Sequence, residues 1–123
     1  MESRRLLVLD DDATVGELLC AGARSAGFEA KLCLDADSFM SQLGPWQPSH
    51  LAVDLTLPGT SGEAVLQSVA SLGGHARVIV CSGTSGLQLE TALRLARALG
   101  MNVVGSLAKP FRMAQLRELL LRE

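Results

Sequence analysis

Five short apolar runs, separated by longer amphipathic stretches, constrain the fold of this chain more than any other feature. The runs cover residues 5–9, 28–33, 50–53, 77–81 and 103–107. Runs this short and this apolar are typical of parallel strands that are buried on both faces. Because such a run and an amphipathic stretch alternate five times, the sequence predicts an α/β fold around a parallel sheet.

The stretches between the runs carry apolar residues at helical spacing. We predict helices over residues 14–26, 35–43, 61–72 and 112–122, and a fifth helix between the last two strands. Gly44 and Pro45 are expected to stop the second helix, since proline disrupts a helix interior. The residues that we place on the inward faces include Leu18, Leu99 and Met113.

The composition fits one globular domain. With 123 residues, of which 48% are hydrophobic and 20% charged, the chain has the size of a single domain and is too apolar for a disordered segment. Thirteen acidic and 11 basic residues leave a net charge of −2. Because the basic residues are also scattered, we expect no direct binding of nucleic acid or of an anionic lipid surface.

The start of the chain and its cysteines bear on where it resides. Only four apolar residues follow Arg5, far fewer than a signal-peptide core or a membrane span needs, so we expect a cytoplasmic chain that does not enter a membrane. The three cysteines, Cys20, Cys33 and Cys81, form no C-x-x-C pair. We expect them to be reduced and buried rather than bridged or bound to zinc.

Polar side chains follow four of the five predicted strands. These residues are Asp10, Asp11 and Asp12 after the first strand, Asp54 after the third, Ser82 after the fourth and Lys109 after the fifth. In an open parallel α/β sheet, ligands bind outside the carboxyl ends of the strands. We therefore expect the carboxylates, the hydroxyl and the ammonium to converge at one edge of the sheet.

This combination of residue types predicts phosphoryl chemistry assisted by a metal. Carboxylates that lie close together repel one another unless a hard cation neutralises them, and Mg²⁺ accepts carboxylate oxygens, water and phosphate oxygens. The Asp54 carboxylate is the predicted nucleophile, forming an aspartyl phosphate. The Lys109 ammonium and the Ser82 hydroxyl would then stabilise charge on the phosphoryl oxygens.

At these residues the chain resembles a known family. The acidic pair Asp10–Asp11, Asp54 followed by Pro58 and Gly62, the Ser82–Gly83 step and the sequence Lys109–Pro110–Phe111 resemble the CheY-like receiver domain of two-component response regulators. The resemblance covers the whole chain, so it implies one receiver domain over residues 1–123. It also implies a flavodoxin-like doubly wound sheet of five parallel strands in the order 2-1-3-4-5, with five helices in a three-layer sandwich.

The resemblance further implies a role for each site residue. Asp10, Asp11, Asp54 and the backbone carbonyl of Thr56 would bind Mg²⁺, Asp54 would be the phosphoacceptor, and Ser82 and Lys109 would switch the conformation. The phosphoryl donor would be a sensor histidine kinase or a phosphotransfer protein. Such a domain is not itself an enzyme beyond assisting its own phosphorylation and dephosphorylation. It regulates an output domain or a partner, in some cases as a homodimer through the face of the fourth and fifth helices.

Two departures from the family pattern affect the expected switch. Ser106 stands where an aromatic residue is usual, so an aromatic readout is not expected here. Between Ser82 and Lys109 there are 26 residues, several more than in a minimal receiver. A long fourth helix of this kind resembles receivers that precede EAL-type cyclic dinucleotide phosphodiesterases. Thr84 is expected to affect access of water to the phosphoryl group.

Two other functions are compatible with parts of the sequence. Asp10, Asp12 and Thr14 also satisfy the D-x-D-x-T signature of haloacid-dehalogenase-like phosphatases, in which Asp10 would be the nucleophile and Asp12 the acid/base. That alternative leaves Asp54 and the Lys109 motif unexplained. The other alternative is an interaction module with the receiver fold that works without phosphorylation.

Overall fold

The computed structural model describes residues 4–83 and 87–122. Its elements in chain order are β1 (Arg5–Leu9), α1 (Ala13–Ser25), β2 (Glu29–Cys33), α2 (Ala36–Trp46), β3 (His50–Asp54), β4 (Thr56–Leu57), β5 (Thr60–Ser61), α3 (Gly62–Ser71), β6 (Arg77–Ser82), α4 (Leu87–Ala98), β7 (Asn102–Ala108) and α5 (Met113–Leu121). Five of the strands form a parallel sheet in the order β2-β1-β3-β6-β7. Counted among the sheet strands alone, this is the predicted order 2-1-3-4-5.

Helices cover both faces of the sheet, which explains why the strands are apolar throughout. Leu6 and Val8 of β1 pack in one core cluster with residues of α1 and α5, whereas Leu7 and Leu9 pack in the other with residues of α2, α3 and α4. Successive side chains of a strand point to opposite faces, so a strand covered on both sides needs apolar residues at every position. The predicted three-layer α/β sandwich is confirmed.

The second helix is longer than predicted. It continues to Trp46, so that Gly44 and Pro45 lie in its last turn instead of stopping it. Contacts from distant residues account for the extension: the Trp46 carbonyl accepts a hydrogen bond of 2.8 Å from the Arg5 guanidinium, and the Lys31 ammonium lies 4.8 Å from the centre of the indole ring. Tertiary contacts therefore outweigh the local signal to stop.

Three of the predicted inward residues are exposed. The exposed fractions of Leu18, Met113 and Leu99 are 48%, 44% and 40%. The inward placement of Leu18 and Leu99 is therefore wrong, whereas Met113 is exposed over part of its surface but directs its sulfur towards Gly22 of α1. The buried face of α1 consists mostly of small residues, Gly16, Cys20, Gly22 and Ala23 beside Leu19. The helix lies close to α5 at this face, because a Cβ atom at Gly22 would lie 2.8 Å from the Met113 sulfur. Small residues at the contact bring the helices together and leave the larger ones at its margin.

A short hairpin connects β3 to α3. Strands β4 and β5 pair with each other around a turn at Gly59, whose φ of +77° favours glycine. The next glycine allows a close approach, because a Cβ atom at Gly62 would lie 2.5 Å from the Cα of Leu55. Helix α3 therefore starts directly against the carboxyl end of β3. Among the described residues, no helix is both long and apolar enough to cross a bilayer.

Candidate functional site

Four of the residues predicted to converge do lie at the carboxyl edge of the sheet. Asp10 follows β1, Asp54 and Ser82 are the last residues of β3 and β6, and Lys109 follows β7. Asp10, Asp54 and Ser82 are almost fully buried, with exposed fractions of 1%, 2% and 0%. Asp11 lies next to them and is exposed. The edge therefore combines buried carboxylates with one carboxylate that solvent reaches.

Lys109 links the strands at this edge. Its Nζ lies 2.7 Å from Oδ2 of Asp10 and 3.3 Å from Oδ2 of Asp54. Its backbone N–H donates a 2.8 Å hydrogen bond to the carbonyl of Ser82. The ammonium is thus held between the two buried carboxylates, and the backbone of the same residue is attached to the end of β6.

Backbone N–H groups hold the other oxygen of each buried carboxylate. The N–H of Asp12 donates to Oδ1 of Asp10 at 2.9 Å, and the N–H of Thr56 donates to Oδ1 of Asp54 at 3.1 Å. The Asp12 carboxylate accepts from the N–H groups of Thr14 and Val15 at the start of α1. Asp12 is therefore the N-cap of α1, which favours its structural role over the acid/base role in the phosphatase alternative.

Three carboxylates come close enough to share a cation. One oxygen from each of Asp10, Asp11 and Asp54 lies within 4.8 Å of the other two. This all-oxygen, acidic donor set suits a hard divalent cation such as Mg²⁺. For Thr56, the predicted metal ligand through its carbonyl, the contact seen at the site is the N–H bond to Asp54. Its role as a ligand stays a prediction.

The electrostatics of the site favour a cation. Burial raises the pKa of Asp54 above its ordinary value, although the Thr56 N–H and the Lys109 ammonium oppose that rise. Burial alone would lower the pKa of Lys109, but the hydrogen bond to Asp10 and the charges of Asp54 and Asp10 outweigh it, so the pKa is raised. Lys109 therefore stays charged, and one ammonium faces three acids.

Backbone contacts fix the end of β6 beside Asp54. The N–H of Leu55 donates to the carbonyl of Cys81 at 3.0 Å, and Cys81 directly precedes Ser82.

The Cys81 side chain is buried, and burial raises the pKa of its thiol to about 12. The thiol is therefore protonated at neutral pH, as expected for a cysteine that packs in the core. Like Cys20 and Cys33, it is a free cysteine.

The strand that leads to Lys109 contains a bulge that the sequence analysis missed. Val78 pairs with Val103 and Ile79 with Gly105, so Val104 is the extra residue in β7. A Cβ atom at Gly105 would lie 2.7 Å from a methyl carbon of Leu119 in α5, which explains why a glycine is needed there.

Of the two residues expected to affect the switch, Ser106 follows the bulge and is exposed. Thr84, expected to affect water access, lies outside the described residues.

Comparisons with known proteins point to one family. The sequence model of the response regulator receiver domain matches residues 6–121. The response regulator protein TmoT of Ectopseudomonas mendocina is 28% identical over 107 residues, which are 87% of this chain and 46% of that protein. The chain spans about half the length of the curated relatives it matches.

Solved structures of response regulators have the same fold. A putative response regulator from Chloroflexus aurantiacus J-10-fl is 27% identical, with a TM-score of 0.80 over 98% of this chain and 100% of that one. A response regulator protein from Burkholderia pseudomallei, solved with a phosphorylated aspartic acid, a calcium ion and citrate, is 22% identical, with a TM-score of 0.82 over 98% of this chain and 68% of that one. Because the family model matches nearly the whole chain, the protein belongs to the response regulator receiver domain family of two-component systems.

Proposed function

We propose that this chain, as a receiver domain over residues 1–123, accepts a phosphoryl group on Asp54 in a reaction that depends on Mg²⁺. The carrying observation is that Asp54 lies within 4.8 Å of Asp10 and Asp11 and 3.3 Å from the Lys109 ammonium. A carboxylate so placed can attack phosphorus while the neighbouring charges are neutralised. The proposed donor is the phosphohistidine of a sensor histidine kinase or of a phosphotransfer protein.

Each residue has a defined part in the proposed transfer. An oxygen of Asp54 forms a bond to phosphorus as the bond between phosphorus and the donor imidazole nitrogen breaks, and the electron pair stays on that nitrogen, which takes up a proton. Lys109 and the Ser82 hydroxyl donate hydrogen bonds to the phosphoryl oxygens. Asp10, Asp11, Asp54 and the Thr56 carbonyl would hold Mg²⁺, which supplies positive charge beside those oxygens.

The Burkholderia pseudomallei response regulator supports this assignment. That protein of the same fold was solved with a phosphorylated aspartic acid and a calcium ion, a divalent cation with oxygen ligands. The three-carboxylate cluster of the present chain is of the kind that such an ion requires. In this proposal, solvent and the phosphodonor approach the cluster from the side of Asp11, which is its exposed member.

The consequences of phosphorylation are proposed from the family. The chain would act as a regulator and not as an enzyme, and it would control an output domain in the same protein or a separate partner, from the cytoplasm. Relatives such as TmoT are response regulators about twice as long as the matched segment. An EAL-type phosphodiesterase as output, and dimerisation through the α4 and α5 face, stay predictions.

The test is phosphorylation by a small donor. With acetyl phosphate and Mg²⁺, intact-mass spectrometry is expected to detect one added phosphoryl group, which EDTA prevents. Asp54→Asn should remove the adduct, whereas the matched control Asp37→Asn, an exposed acid of α2, should keep it. An adduct that persists in Asp54→Asn and disappears in Asp10→Asn would instead support the phosphatase alternative. Absence of any adduct in the wild type would support the other alternative, an interaction module that works without phosphorylation.

A further inference from the structure

Asp12 lies beside the acidic cluster, but its carboxylate is engaged elsewhere. Among the described carboxylates, those that come close enough to share a cation are Asp10, Asp11 and Asp54. Oδ1 of Asp12 instead accepts hydrogen bonds from the N–H groups of Thr14 and Val15, at 3.0 and 3.2 Å. The side chain of Asp12 therefore caps α1, and its link to the cluster runs through its backbone.

The backbone of Asp12 joins the start of α1 to Asp10. Its N–H donates to Oδ1 of Asp10 at 2.9 Å, and its carbonyl accepts from the N–H of Gly16 at 2.9 Å. The direction of a backbone N–H is set by the dihedral angles on either side of the planar peptide group. Bonds that hold Asp12 at the start of α1 thus also fix the donor that holds a buried carboxylate.

Asp11 lies between two anchored residues. On one side, the N–H of Asp10 donates to the carbonyl of Cys33 at 3.2 Å, and on the other side Asp12 is bound to the first turn of α1. Asp11 is exposed, so packing restrains its side chain little and the backbone determines where its carboxylate lies. The anchoring of Asp12 therefore bears on two of the three members of the cluster.

The corresponding donor at Asp54 is fixed in a different way. The N–H of Thr56 donates to Oδ1 of Asp54 at 3.1 Å, and Thr56 pairs with Ser61 in the β4–β5 hairpin. Asp12 lies beyond the end of β1 at Leu9, so strand pairing does not hold its backbone. At Asp12 the capping bonds of its own carboxylate take the part that the hairpin has at Thr56.

We propose that Asp12 is a positioning residue for the divalent cation. By capping α1, its carboxylate fixes the N–H that holds Asp10 and the short segment that carries Asp11. The inference rests on the proposed function, because the cation is the Mg²⁺ of the proposed phosphoryl transfer. Asp12 does not bind the cation itself, and its contribution through capping is separate from the attraction that its negative charge adds.

Three uncharged replacements separate capping from charge. Asp12→Asn and Asp12→Ser keep a side-chain oxygen that caps a helix, whereas Asp12→Ala does not, and all three remove the same charge. In calorimetric titrations with Mg²⁺, Asp12→Ala is expected to bind at least about threefold more weakly than the other two variants. This is less than the roughly tenfold loss typical of an outer-shell partner, because the N–H itself remains. Equal Mg²⁺ affinities in the three variants would overturn the proposal.

The N-cap of α2 provides a matched control. Oδ1 of Asp35 accepts from the N–H of Ser38 at 2.8 Å, and Asp35 is exposed, as Asp12 is. Asp35→Ala and Asp35→Asn should bind Mg²⁺ equally, although the alanine variant loses a helix cap. If the alanine variant at Asp35 binds Mg²⁺ more weakly than the asparagine variant by the same factor as at Asp12, loss of a cap acts through general stability and the proposal is wrong.

A measurement without metal examines the positioning directly. In EDTA, the amide hydrogen at position 12 is expected to exchange faster in Asp12→Ala than in Asp12→Asn, after correction for the intrinsic rates of the two residues. Equal protection in both variants would overturn the proposal. A wild type that binds no Mg²⁺ would refute the proposed metal site and this role with it. Wild-type binding of Mg²⁺ without a difference between Asp12→Ala and Asp12→Asn would refute only the role of Asp12.

Discussion

The two ends of the central sheet use charged residues in different ways. At the carboxyl end, one ammonium, that of Lys109, lies among three carboxylates, two of which are buried. At the amino end the charges are paired more evenly. The Arg5 guanidinium contacts the Glu29 carboxylate at 2.8 Å, and Arg122 contacts Glu118 at 2.6 Å.

Arginines at the amino end also bind main-chain carbonyls. Arg122 donates to the carbonyl of Val104, the extra residue of the β7 bulge, at 2.8 Å, and its own carbonyl accepts from Arg77 at 2.9 Å. These bonds tie the end of α5 to strands β6 and β7 and supply a carbonyl at the sheet edge with a donor. The amino end therefore uses charge to stabilise the fold.

The difference shows where this fold carries unfavourable electrostatic interactions. Close carboxylates at the carboxyl end repel one another, and only a ligand or a nearby cation offsets that repulsion. At the carboxyl end, removal of the cation should therefore lower the stability strongly, whereas removal of an acid should not. At the amino end, removal of a cation should lower the stability only slightly.

The largest effect is expected from removing the cation of the carboxyl end. Lys109→Met leaves Asp10 and Asp54 buried without their ammonium, so the free energy of unfolding in EDTA should fall by about 3 kcal/mol. Because the pKa of Lys109 is raised in the fold, its contribution to stability is complete below the ordinary lysine pKa of 10.5. It is lost only as the pH rises through the higher folded-state pKa. Urea denaturation at pH 7 and at alkaline pH measures both.

The control for that variant is the other lysine of the chain. Lys31→Met removes an exposed ammonium that donates to Gln42 at 3.3 Å and lies 4.8 Å from the centre of the Trp46 ring, and should cost less than about 1 kcal/mol. Adding Asp10→Asn to Lys109→Met should restore part of the lost stability, since it removes one of the unpaired charges. Equal losses in the two lysine variants would contradict the description of Lys109 as the central cation of the site.

Removing an acid at the carboxyl end should not lower the metal-free stability. Asp11→Ala is expected to weaken Mg²⁺ binding at least about tenfold, the loss typical even of an outer-shell partner. Its stability without metal should hold or rise, because like charges are separated. Calorimetric Mg²⁺ titration and thermal unfolding in EDTA test both, with Asp37→Ala as the control for an exposed acid. A clear fall in metal-free stability would mean that Asp11 serves the structure instead.

A smaller loss is expected at the amino end. Arg122→Ala removes the hydrogen bond to the Val104 carbonyl and should lower the free energy of unfolding by about 1 kcal/mol. Arg117→Ala, an exposed arginine within the preceding helix α5, is the control and should stay within about 0.5 kcal/mol of the wild type. Stabilisation by Arg122→Ala would show that the two ends do not differ as proposed.

The smallest effect is expected at Ser106. Its side chain is exposed and too small to fill space left by a moving Ser82 hydroxyl, so the signal should travel through residues 83–100 instead. Amide hydrogen exchange with and without beryllofluoride should change across those residues, and equally so in Ser106→Ala. Lys109→Ala should permit some phosphorylation but lose that change. Abolition of the change by Ser106→Ala would contradict this route.

Local pattern was sufficient for the sheet and for the positions of the site residues. The apolar runs predicted every strand of the main sheet to within one residue at either end. Because parallel strands present their carboxyl ends at one edge, the polar residues that follow them had to converge. The acidic residues, Ser82 and Lys109 were therefore predictable as neighbours.

Tertiary packing decided what local pattern does not encode. Apolar periodicity marks the side of a helix that faces the core, but which of its residues are fully buried depends on where the neighbouring helix approaches. In α1 the approach is at Gly22, and Leu18 is left 48% exposed. Trp46 extends α2 through contacts with residues of β1 and β2, and the β7 bulge depends on Arg122 and on the contact between Gly105 and Leu119.

The site shows the same division. The sequence by itself determined which chemical groups meet, because residue type and the placement of each residue after a parallel strand are sufficient for that. Only the tertiary structure decided that Asp10 and Asp54 are buried, that Asp11 is exposed, and that Lys109 lies 2.7 Å from Asp10 and 3.3 Å from Asp54. Burial and distance depend on how the layers pack, and they raise the pKa values of Asp54 and Lys109 and favour a cation beside the carboxylates.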